Sequence, residues 1–302
     1  MSHAGTAPAL PNAEQLMWAL QIAGGDAIAE ITGLRAGGSP FLLRWVGDDG
    51  TGRVVLRIDD ATEAGGEAVA ESVMPIADRQ GVPVPNVLGS RIDDEVSLLL
   101  TEWIDGTRAQ PVEADPARLE SLGAMAAVIF RADPGEAQLP HISRPMQGAD
   151  FAAMRASGTH PLLERAAERI AGYEPDDRIG LVHGDLWVGS TMWRDDRIVA
   201  VTDWDSAGLG PAGIDLGSLR LDAALGYGLE ASDHVLHGWE AEAAREAESV
   251  AYWDVVAALC TPPDLGSFAG ARITGTERPD LDRQTLVARR DAFLEDALAR
   301  FE

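Results

Sequence analysis

Three aspartates follow short apolar segments in the middle of the chain. Asp185 lies in "LVHGDLWVGSTMW" at 181–193, and Asp203 and Asp205 lie in "VTDWDSAG" at 201–208. A carboxylate can orient a hydroxyl group and accept its proton, and carboxylate oxygens are ligands that Mg²⁺ prefers. The residues between the two stretches, "STMWRDDRIVAVTD", are typical of a β-hairpin. A hairpin there would bring both loops to one end of a sheet.

A single residue separates Asp203 from Asp205. If residues 201–205 are extended, both side chains point to the same face, because strand side chains alternate with a period of two. Both carboxylates could then face one metal ion. For Asp205, a solvated loop position is an equal alternative.

Before these loops, the sequence predicts a helix and then an antiparallel sheet. The stretch "PNAEQLMWALQIAGG" has a capping pattern at its start, an apolar stripe and a terminal glycine, which together indicate a helix. Apolar segments at 31–35, 40–46 and 53–58 are separated by Gly- and Asp-rich turns and predict strands. A helix in "GGEAVAESVMPIADRQ" and two more strands up to Trp103 follow.

From about residue 114 onward the apolar periodicity is mainly helical. The predicted helices cover 115–132, 160–172, 213–224, 230–258 with a break, and 280–301. Gly and Pro in "EWIDGTRAQP" mark a boundary. We therefore predict two lobes, residues 1–103 and 104–302.

The composition excludes several classes of protein. A chain of 302 residues that is 46% hydrophobic can bury a full core, and no apolar run approaches the roughly 20 residues of a membrane helix. The stretch "MSHAGTAPALPNAEQ" lacks the basic start and apolar centre of a signal peptide, so we expect a cytoplasmic protein without a membrane partner. The single cysteine, Cys260, excludes an internal disulfide framework.

The charge of the chain is strongly acidic. It carries 24 basic residues, all of them arginine, and 49 acidic ones, for a formal net charge of −25. This charge disfavours nucleic acid as a partner. It fits either a field that attracts cationic small molecules or an acidic solvated surface, and composition alone does not separate the two.

A sheet followed by helices, with carboxylates on loops, is the layout of a kinase-like phosphotransferase. The His-Gly-Asp triplet that ends at Asp185, the Asp-Trp-Asp triplet that begins at Asp203 and "GIDLGSLR" together resemble the aminoglycoside phosphotransferase and choline kinase-like family. The resemblance implies an α+β, bilobal protein kinase-like fold with an N-terminal antiparallel sheet lobe and a larger, mainly helical C-terminal lobe. It also implies that Asp185 orients the substrate hydroxyl and that Asp203 holds Mg²⁺, whereas His183 and Asp215 brace the loops.

The resemblance assigns further residues in the N-terminal lobe. Gly37, Gly38 and Ser39 in "AGGSPFLL" match the family's turn over the nucleotide phosphates, where glycine allows close backbone approach. Arg57 in "VVLRI" matches the basic residue that contacts the phosphates. Glu71 in "AVAESVMPIA" matches the helix glutamate that pairs with it.

The strand and hinge of the family are matched by "LLLTEWIDG". The resemblance implies that backbone groups from Glu102 to Ile104 meet the nucleotide base, while side chains there carry little information. The implied phosphate donor is ATP or GTP.

Two positions depart from the family pattern. Pro75 lies four residues after Glu71, so its ring should clash with the Glu71 carbonyl and kink the helix. Ser190 stands where the family carries an asparagine that binds Mg²⁺, five residues after Asp185. A serine hydroxyl is a shorter ligand, so either a water bridges the gap, Asp205 supplies the missing oxygen, or a second metal site is weak.

The acceptor site is less defined by the sequence. The helices in "HVLHGWEAEAAREAESVAYWD" are candidate walls, and their Trp239 and Trp253 either line a pocket or belong to the core. Glu240, Glu242 and Glu246 suit a polycation and equally suit a solvated helix face.

The sequence thus predicts a Mg²⁺-dependent phosphotransferase that moves the terminal phosphate of ATP or GTP to a hydroxyl of an aminoglycoside- or amino sugar-like small molecule. The alternative is a catalytically impaired nucleotide- or ligand-binding protein of the same fold, motivated by Ser190 and Pro75. A metal-dependent hydrolase ranks last, because the six histidines are scattered and form no His-x-x-x-His pair.

Overall fold

The computed structural model describes residues 10–35, 38–48, 50–60, 64–93 and 96–301. Within these ranges, a five-stranded sheet with two helices is followed by eight helices and two short strand pairs. No helix in this described part combines the length and the apolar character that a membrane crossing needs.

The first helix, α1 (Ala13–Ala23), begins and ends as the sequence predicts. The Asn12 side chain accepts the Gln15 N–H, and the Gln15 side chain accepts the Asn12 N–H in return. This reciprocal capping satisfies two backbone donors that the first turn leaves open. Gly24 ends the helix in the left-handed conformation, with φ of 74°.

The sheet of the N-terminal lobe is wholly antiparallel. Its strands are β1 (Ala27–Arg35), β2 (Gly38–Gly47), β3 (Gly50–Asp60), β4 (Val87–Ile92) and β5 (Val96–Glu102). They lie in the order β1-β2-β3-β5-β4. Apolar side chains on one face, among them Phe41 and Leu56, form a cluster with Ala19 of α1. The three strands predicted at 31–35, 40–46 and 53–58 are confirmed with wider bounds.

Helix α2 (Ala64–Arg79) connects β3 to β4 and contains Pro75 in its interior. Pro75 lies on the exposed face, and the helix continues to Arg79. The proline therefore does not end the helix. The opposite face, with Val73 and Met74, is buried in a cluster that includes Leu216 of the C-terminal lobe. Helix α2 thus joins the two lobes.

The C-terminal lobe is mainly helical. Its helices are α3 (Pro116–Arg131), α4 (Phe151–Ala156), α5 (Pro161–Ile170), α6 (Gly213–Tyr227), α7 (Ala231–Ala243), α8 (Val250–Leu259), α9 (Gly266–Gly275) and α10 (Arg283–Arg300). The predicted helical ranges are confirmed, whereas the sequence did not predict α4 or α9. Helix α6 is buried along almost its whole length and forms the centre of the lobe.

Two short strand pairs carry the aspartate loops. Strand β6 (Ile179–Val182) pairs with β9 (Gly208–Pro211), and β7 (Thr191–Arg194) pairs with β8 (Arg197–Val201). The predicted hairpin is therefore confirmed. Residues 183–190 link β6 to β7, and residues 202–207 link β8 to β9. The loops lie side by side, because the Thr202 N–H donates to the Ser190 carbonyl at 2.8 Å.

The α+β class, with an antiparallel sheet before a larger helical part, is confirmed. The division at residues 103 and 104 stays a prediction. Thr107 is bridged to Trp193 of β7, so the chain contacts the C-terminal lobe soon after β5 ends.

Candidate active site

The loop that carries Asp185 turns sharply at Gly184, which has φ of 80°. A Cβ atom at Gly184 would lie 2.1 Å from the Ser206 carbonyl oxygen of the neighbouring loop. Side chains strongly disfavour this backbone conformation, and no Cβ fits that distance. Glycine at this position therefore allows the two loops to approach each other.

Asp215, in the first turn of α6, holds the backbone turn at Gly184 in place. Its two oxygens accept the N–H groups of His183 at 2.7 Å and of Gly184 at 2.9 Å. Burial raises the pKa of the Asp215 carboxyl, although His183 and these two backbone bonds partly offset the effect. Asp215 is 2% exposed, so it acts on the loop from inside the core. This is the bracing role that the sequence implied.

His183 ties the Asp185 loop to the Asp203 loop. Its Nε2–H donates to the Thr202 carbonyl at 2.8 Å, and the Asp185 N–H donates weakly to its Nδ1 at 3.4 Å. The imidazole therefore contacts both aspartate loops at once. The ring also packs on Trp204, with 4.7 Å between centroids.

Asp203 begins a single helical turn, Trp204–Ser206, and has left-handed backbone angles, φ 65° and ψ 51°. Strand β8 has already ended at Val201. Residues 201–205 are therefore not extended, so the condition under which Asp203 and Asp205 would share one strand face is not met. A non-glycine residue in this conformation is strained, and such strain is common where function fixes a side chain.

Asp205 pairs with Arg57 across the two lobes. Its two oxygens accept from the Arg57 guanidinium at 3.0 and 3.3 Å, and Asp59 accepts the Arg57 Nε–H at 2.5 Å. Burial alone would raise the pKa of Asp205, but the hydrogen bonds and charge of Arg57 outweigh it and hold that pKa below its usual range. Burial alone would lower the pKa of Arg57, but its hydrogen bonds to Asp205 and the charge of that carboxylate outweigh burial and raise it.

The pairing of Arg57 differs from the one that the resemblance implied. Glu71 lies on an exposed part of α2, whereas both acidic partners of the guanidinium come from elsewhere, Asp59 from β3 and Asp205 from the loop after β8. The packing of α2 against the loop of Asp205 explains this pairing. The backbone at Gly66, in the first turns of α2, approaches Asp205 so closely that an added Cβ would lie 2.9 Å from the Asp205 Cβ. That close packing brings Asp205 into reach of Arg57.

Ser190 is fully buried and belongs to its own turn, Val188–Ser190. Its hydroxyl donates to the Trp187 carbonyl at 2.8 Å and accepts the Trp187 N–H at 3.1 Å. Asp222 of α6 fixes the turn further by accepting the Val188 N–H at 3.1 Å. The Ser190 hydroxyl therefore stabilises the loop in this structure and does not line the cleft next to Asp203, in contrast to the predicted metal ligand.

Two cavities meet these loops. The larger, of about 350 Å³, lies between the lobes and is lined by four predicted residues, Arg57, Glu102, Ile104 and Asp203. We call it the interlobe cleft. The smaller, of about 260 Å³, lies within the C-terminal lobe and contains Asp185 in its wall. We call it the C-lobe pocket.

The predicted phosphate turn is only partly described. Gly37 lies outside the described residues. Gly38 begins β2, and the Ser39 hydroxyl accepts the Ile58 N–H of β3 at 2.9 Å. Ser39 thus joins β2 to the strand that carries Arg57.

The sequence patterns did not identify several residues that line or support the two cavities. Arg108 lines the interlobe cleft and donates to the Thr202 hydroxyl at 2.8 Å, next to Asp203. Asp222 sits inside a buried helix, and Phe268 belongs to α9, whose glycines obscure its helical period. Only the folded chain brings these residues to the loops.

The donor set at the interlobe cleft fits Mg²⁺ together with a nucleotide. No group of three or more His, Cys, Asp or Glu side chains within the described ranges is arranged to hold a metal ion alone. Mg²⁺ bound with a nucleotide needs less, because one or two carboxylates, phosphate oxygens and waters complete its octahedron. Among the carboxylates that line the cleft, which include Glu102 and Glu277, Asp203 is the predicted metal ligand, and its backbone is left-handed.

A sheet lobe and a helical lobe that enclose a cleft, with Asp203 at the cleft and Asp185 on the adjoining loop, define a kinase-like phosphotransferase fold. Residues 31–259 match the model of the phosphotransferase enzyme family (APH), and the chain belongs to this family.

Solved structures with a similar fold include three phosphotransferases. Macrolide 2′-phosphotransferase MphH from Brachybacterium faecium, an apoenzyme, has 22% identity and a TM-score of 0.60 over 94% of this chain and 97% of its own. Spectinomycin phosphotransferase APH(9)-Ia with ADP and spectinomycin has 14% identity and a TM-score of 0.60, over 96% and 98%. A thermostable mutant of aminoglycoside phosphotransferase APH(4)-Ia with AMP-PNP and hygromycin B has 12% identity and a TM-score of 0.57, over 95% and 98%. At these identities the likeness shows the fold alone.

Proposed function

We propose that the protein transfers the terminal phosphate of a nucleoside triphosphate to a hydroxyl group of a small molecule. One observation carries this proposal. Asp185 and Asp203 lie on adjoining loops joined through His183 and Thr202, yet Asp185 opens to the C-lobe pocket and Asp203 to the interlobe cleft. Two substrates bound in the two cavities would meet at these loops.

The interlobe cleft is the proposed nucleotide site. Arg57 makes three hydrogen bonds with Asp59 and Asp205, and a guanidinium has five N–H donors. Counted over the described residues, two donors remain, and they suit phosphate oxygens. Backbone groups from Glu102 to Ile104 would meet the base. The similar structures with ADP and AMP-PNP support an adenine nucleotide as donor, and GTP stays the alternative.

Asp203 would hold Mg²⁺ at this cleft. The ion would neutralise charge on the phosphates. The Trp204–Ser206 turn fixes the Asp203 backbone, and Arg108 supports the preceding residue, so the carboxylate is positioned before the nucleotide binds. Such advance positioning is the chief contribution of a protein to phosphoryl transfer.

Asp185 would accept a hydrogen bond from the acceptor hydroxyl and hold its oxygen in line with the terminal phosphorus. The acceptor oxygen then bonds to phosphorus as the bond to the bridging oxygen of the nucleotide breaks, and the nucleoside diphosphate leaves. The hydroxyl proton passes to Asp185 and then to solvent. Asp215 and His183 keep the loop in place during this step.

Release of ADP or GDP in the presence of candidate acceptors tests the proposal. The acceptor panel should contain aminoglycosides, amino sugars and macrolides, and product should be identified by mass as an added phosphate. We expect acceptor-dependent transfer by the wild type and by the surface control Asp176→Asn. Asp185→Asn should lose it. Nucleotide binding without transfer to any acceptor would instead favour the binding-protein alternative.

A further inference from the structure

The C-lobe pocket has predominantly apolar walls. It lies between the loop of Asp185 and helices α6, α8 and α9. Its apolar side chains include Met146, Trp187, Leu221, Leu225, Phe268 and Ala271. Apolar surface binds ligands by excluding water, and it gives no compensation to an ammonium group that loses its own water.

Two of the hydroxyl groups that line this wall, on Ser218 and Thr261, are bonded to nearby backbone carbonyls, whereas Ser267 of α9 is exposed. Ser218 donates to the Ile214 carbonyl at 2.8 Å, and Thr261 donates to the Ala258 carbonyl at 2.7 Å. Both bonds lie within the helices or turns that carry the hydroxyls. These side chains therefore satisfy their own backbone and add little polarity to the pocket.

Among the described residues that line the pocket, Asp185 and Asp222 carry carboxylates. Asp222 is 5% exposed and is committed to the protein itself. One oxygen accepts the Val188 N–H, and the other accepts from the buried Arg272 guanidinium of α9. Its negative charge is compensated before any ligand arrives.

Positive charge backs the pocket. Burial raises the pKa of the Cys260 thiol in the wall, and the nearby Arg144 and Arg155 partly offset this rise. Arg155 also donates to the Leu259 carbonyl at 2.5 Å. Because Asp222 already balances the charge of Arg272, Arg144 and Arg155 supply the positive charge near this part of the wall. A ligand with several cationic amines would meet this charge at short range, where it is poorly screened.

Helix α7, whose acidic side chains suited a polycation in the sequence, lies away from the C-lobe pocket. Trp239 and Trp253 are 1% and 3% exposed and belong to the core. Helix α7 packs on α3, where Glu242 accepts from Arg131 at 2.8 Å, and Glu240 accepts the Ala247 N–H at 3.1 Å. No described residue of α7 lines the C-lobe pocket.

We infer that the C-lobe pocket binds the acceptor, and that the acceptor is a hydroxyl compound with an apolar body and at most one cationic amine, not a polycation. This inference rests on the proposed function and names the substrate class of the same site. Phe268 and Ala271 of α9 are its specificity-determining residues, because they bring apolar surface of a further helix to the pocket.

Calorimetric binding without nucleotide tests this inference independently of catalysis. The apolar probes are three macrolide lactones, erythromycin, tylosin and josamycin, and the polycationic probe is kanamycin. We expect at least one lactone to bind the wild type at least about 10-fold more tightly than kanamycin. Tighter binding of kanamycin, or no binding of any lactone at millimolar concentration, would overturn the inference.

A charge substitution on α9 is the second test, because it should change the affinity for lactones and the affinity for kanamycin in opposite directions. Ala271→Asp should weaken lactone binding at least about 10-fold by burying a carboxylate against an apolar ligand. The matched control is Ile273→Asp, which adds the same charge to the same helix at a position that is 48% exposed. It should leave lactone affinity within about twofold. Tighter binding of kanamycin by Ala271→Asp with unchanged lactone binding would contradict the assignment.

A neutral pair of variants covers the case in which Ala271→Asp does not fold. Phe268→Ala should weaken lactone binding at least about fivefold, while Ile273→Ala should not. Equal effects of the two would overturn the role of Phe268. Lactone binding without phosphate transfer would contradict only the proposed function, whereas transfer to kanamycin alone would contradict only the inference on substrate class.

Discussion

The interlobe cleft and the C-lobe pocket meet at the same two loops but are built in different ways. The cleft takes its walls from both lobes and carries charged residues among apolar ones, with Arg57 on β3 and Asp203 after β8. The pocket has apolar walls from one lobe, around the buried helix α6. Charged side chains are thus more numerous where phosphate would bind than where the acceptor would bind.

This difference also separates the roles of the aspartates. Asp203 and Asp205 act on the cleft, one at its wall and one through Arg57. Asp185 faces the pocket, and Asp215 supports it from α6. If the two cavities have separate roles, substitutions on one side should leave binding on the other side intact.

The largest effect is expected at Asp185. Asp185→Asn keeps the size of the side chain but removes the proton acceptor, so turnover should fall by about 10²-fold or more. The nucleotide dissociation constant should change less than about twofold, because Asp185 does not line the cleft. Steady-state kinetics and nucleotide titration check the two parts. A loss of nucleotide affinity equal to the loss of turnover would contradict separate roles for the two cavities and indicate a single binding site.

Asp215→Asn should destabilise the loop without touching either cavity directly. It replaces one of two buried acceptors with an amide donor, which leaves the His183 or Gly184 N–H unsatisfied and should cost roughly 2–3 kcal/mol in the free energy of unfolding. Denaturant unfolding at pH 7 measures this cost. Asp176→Asn, on an exposed carboxylate, is the matched control, and an equal effect of the two would contradict the bracing role.

Asp203→Asn should affect the cleft alone. Removing a charged ligand should weaken metal binding in the presence of ADP by about 10- to 100-fold. Titration with Mn²⁺ in place of Mg²⁺, followed by electron paramagnetic resonance, measures this directly. Binding of acceptor candidates to the C-lobe pocket should remain within about twofold. Unchanged Mn²⁺ affinity would place the metal on another residue.

The Arg57–Asp205 pair should give a smaller, pH-dependent effect. Asp205→Asn should lower the free energy of unfolding at pH 7 by about 1 kcal/mol, after allowance for solvent screening of the half-exposed carboxylate. The folded-state pKa of Asp205 lies below its unfolded value of about 3.9. Its stabilisation is therefore fully present above about pH 4 and is lost as pH falls through the folded-state pKa. A difference from wild type that grows in acid would reverse this assignment.

The smallest effect is expected at Glu71, which the family resemblance would pair with Arg57. Glu71→Gln should change nucleotide affinity by less than about twofold and hardly move the unfolding midpoint, because the residue is exposed on α2. Nucleotide titration beside Asp205→Asn makes the comparison. A larger effect at Glu71 than at Asp205 would restore the pair that the resemblance implied.

The sequence predicted the elements of both lobes because local signals agreed with the fold. The Asn12 cap, the Asp-rich turns and the helical period of α3 or α6 act over a few residues, and tertiary packing did not override them. The hairpin between the loops followed from the same kind of local signal. Helix α9 escaped prediction because Gly266, Gly270 and Gly275 weaken its period.

The details of the site depend on contacts that no local pattern contains. Asp205 lies 148 positions from Arg57 along the chain, and the close approach of Gly66 decides that the two meet. Ser190 matched a metal position by spacing, yet its hydroxyl closes the turn with Trp187. Arg272 reaches Asp222 from 50 positions away. Types and spacing of residues located the loops, and packing assigned the partners.

The separation of the two cavities is tested most directly by calorimetric titration of ATP, with and without Mg²⁺, into wild type, Asp203→Ala and Asp185→Asn. We predict Mg²⁺-dependent binding by the wild type, the same affinity within about twofold in Asp185→Asn, and loss of the Mg²⁺-dependent part in Asp203→Ala. Equal binding by all three proteins, or loss in Asp185→Asn with retention in Asp203→Ala, would contradict the assignment of the cleft to the nucleotide.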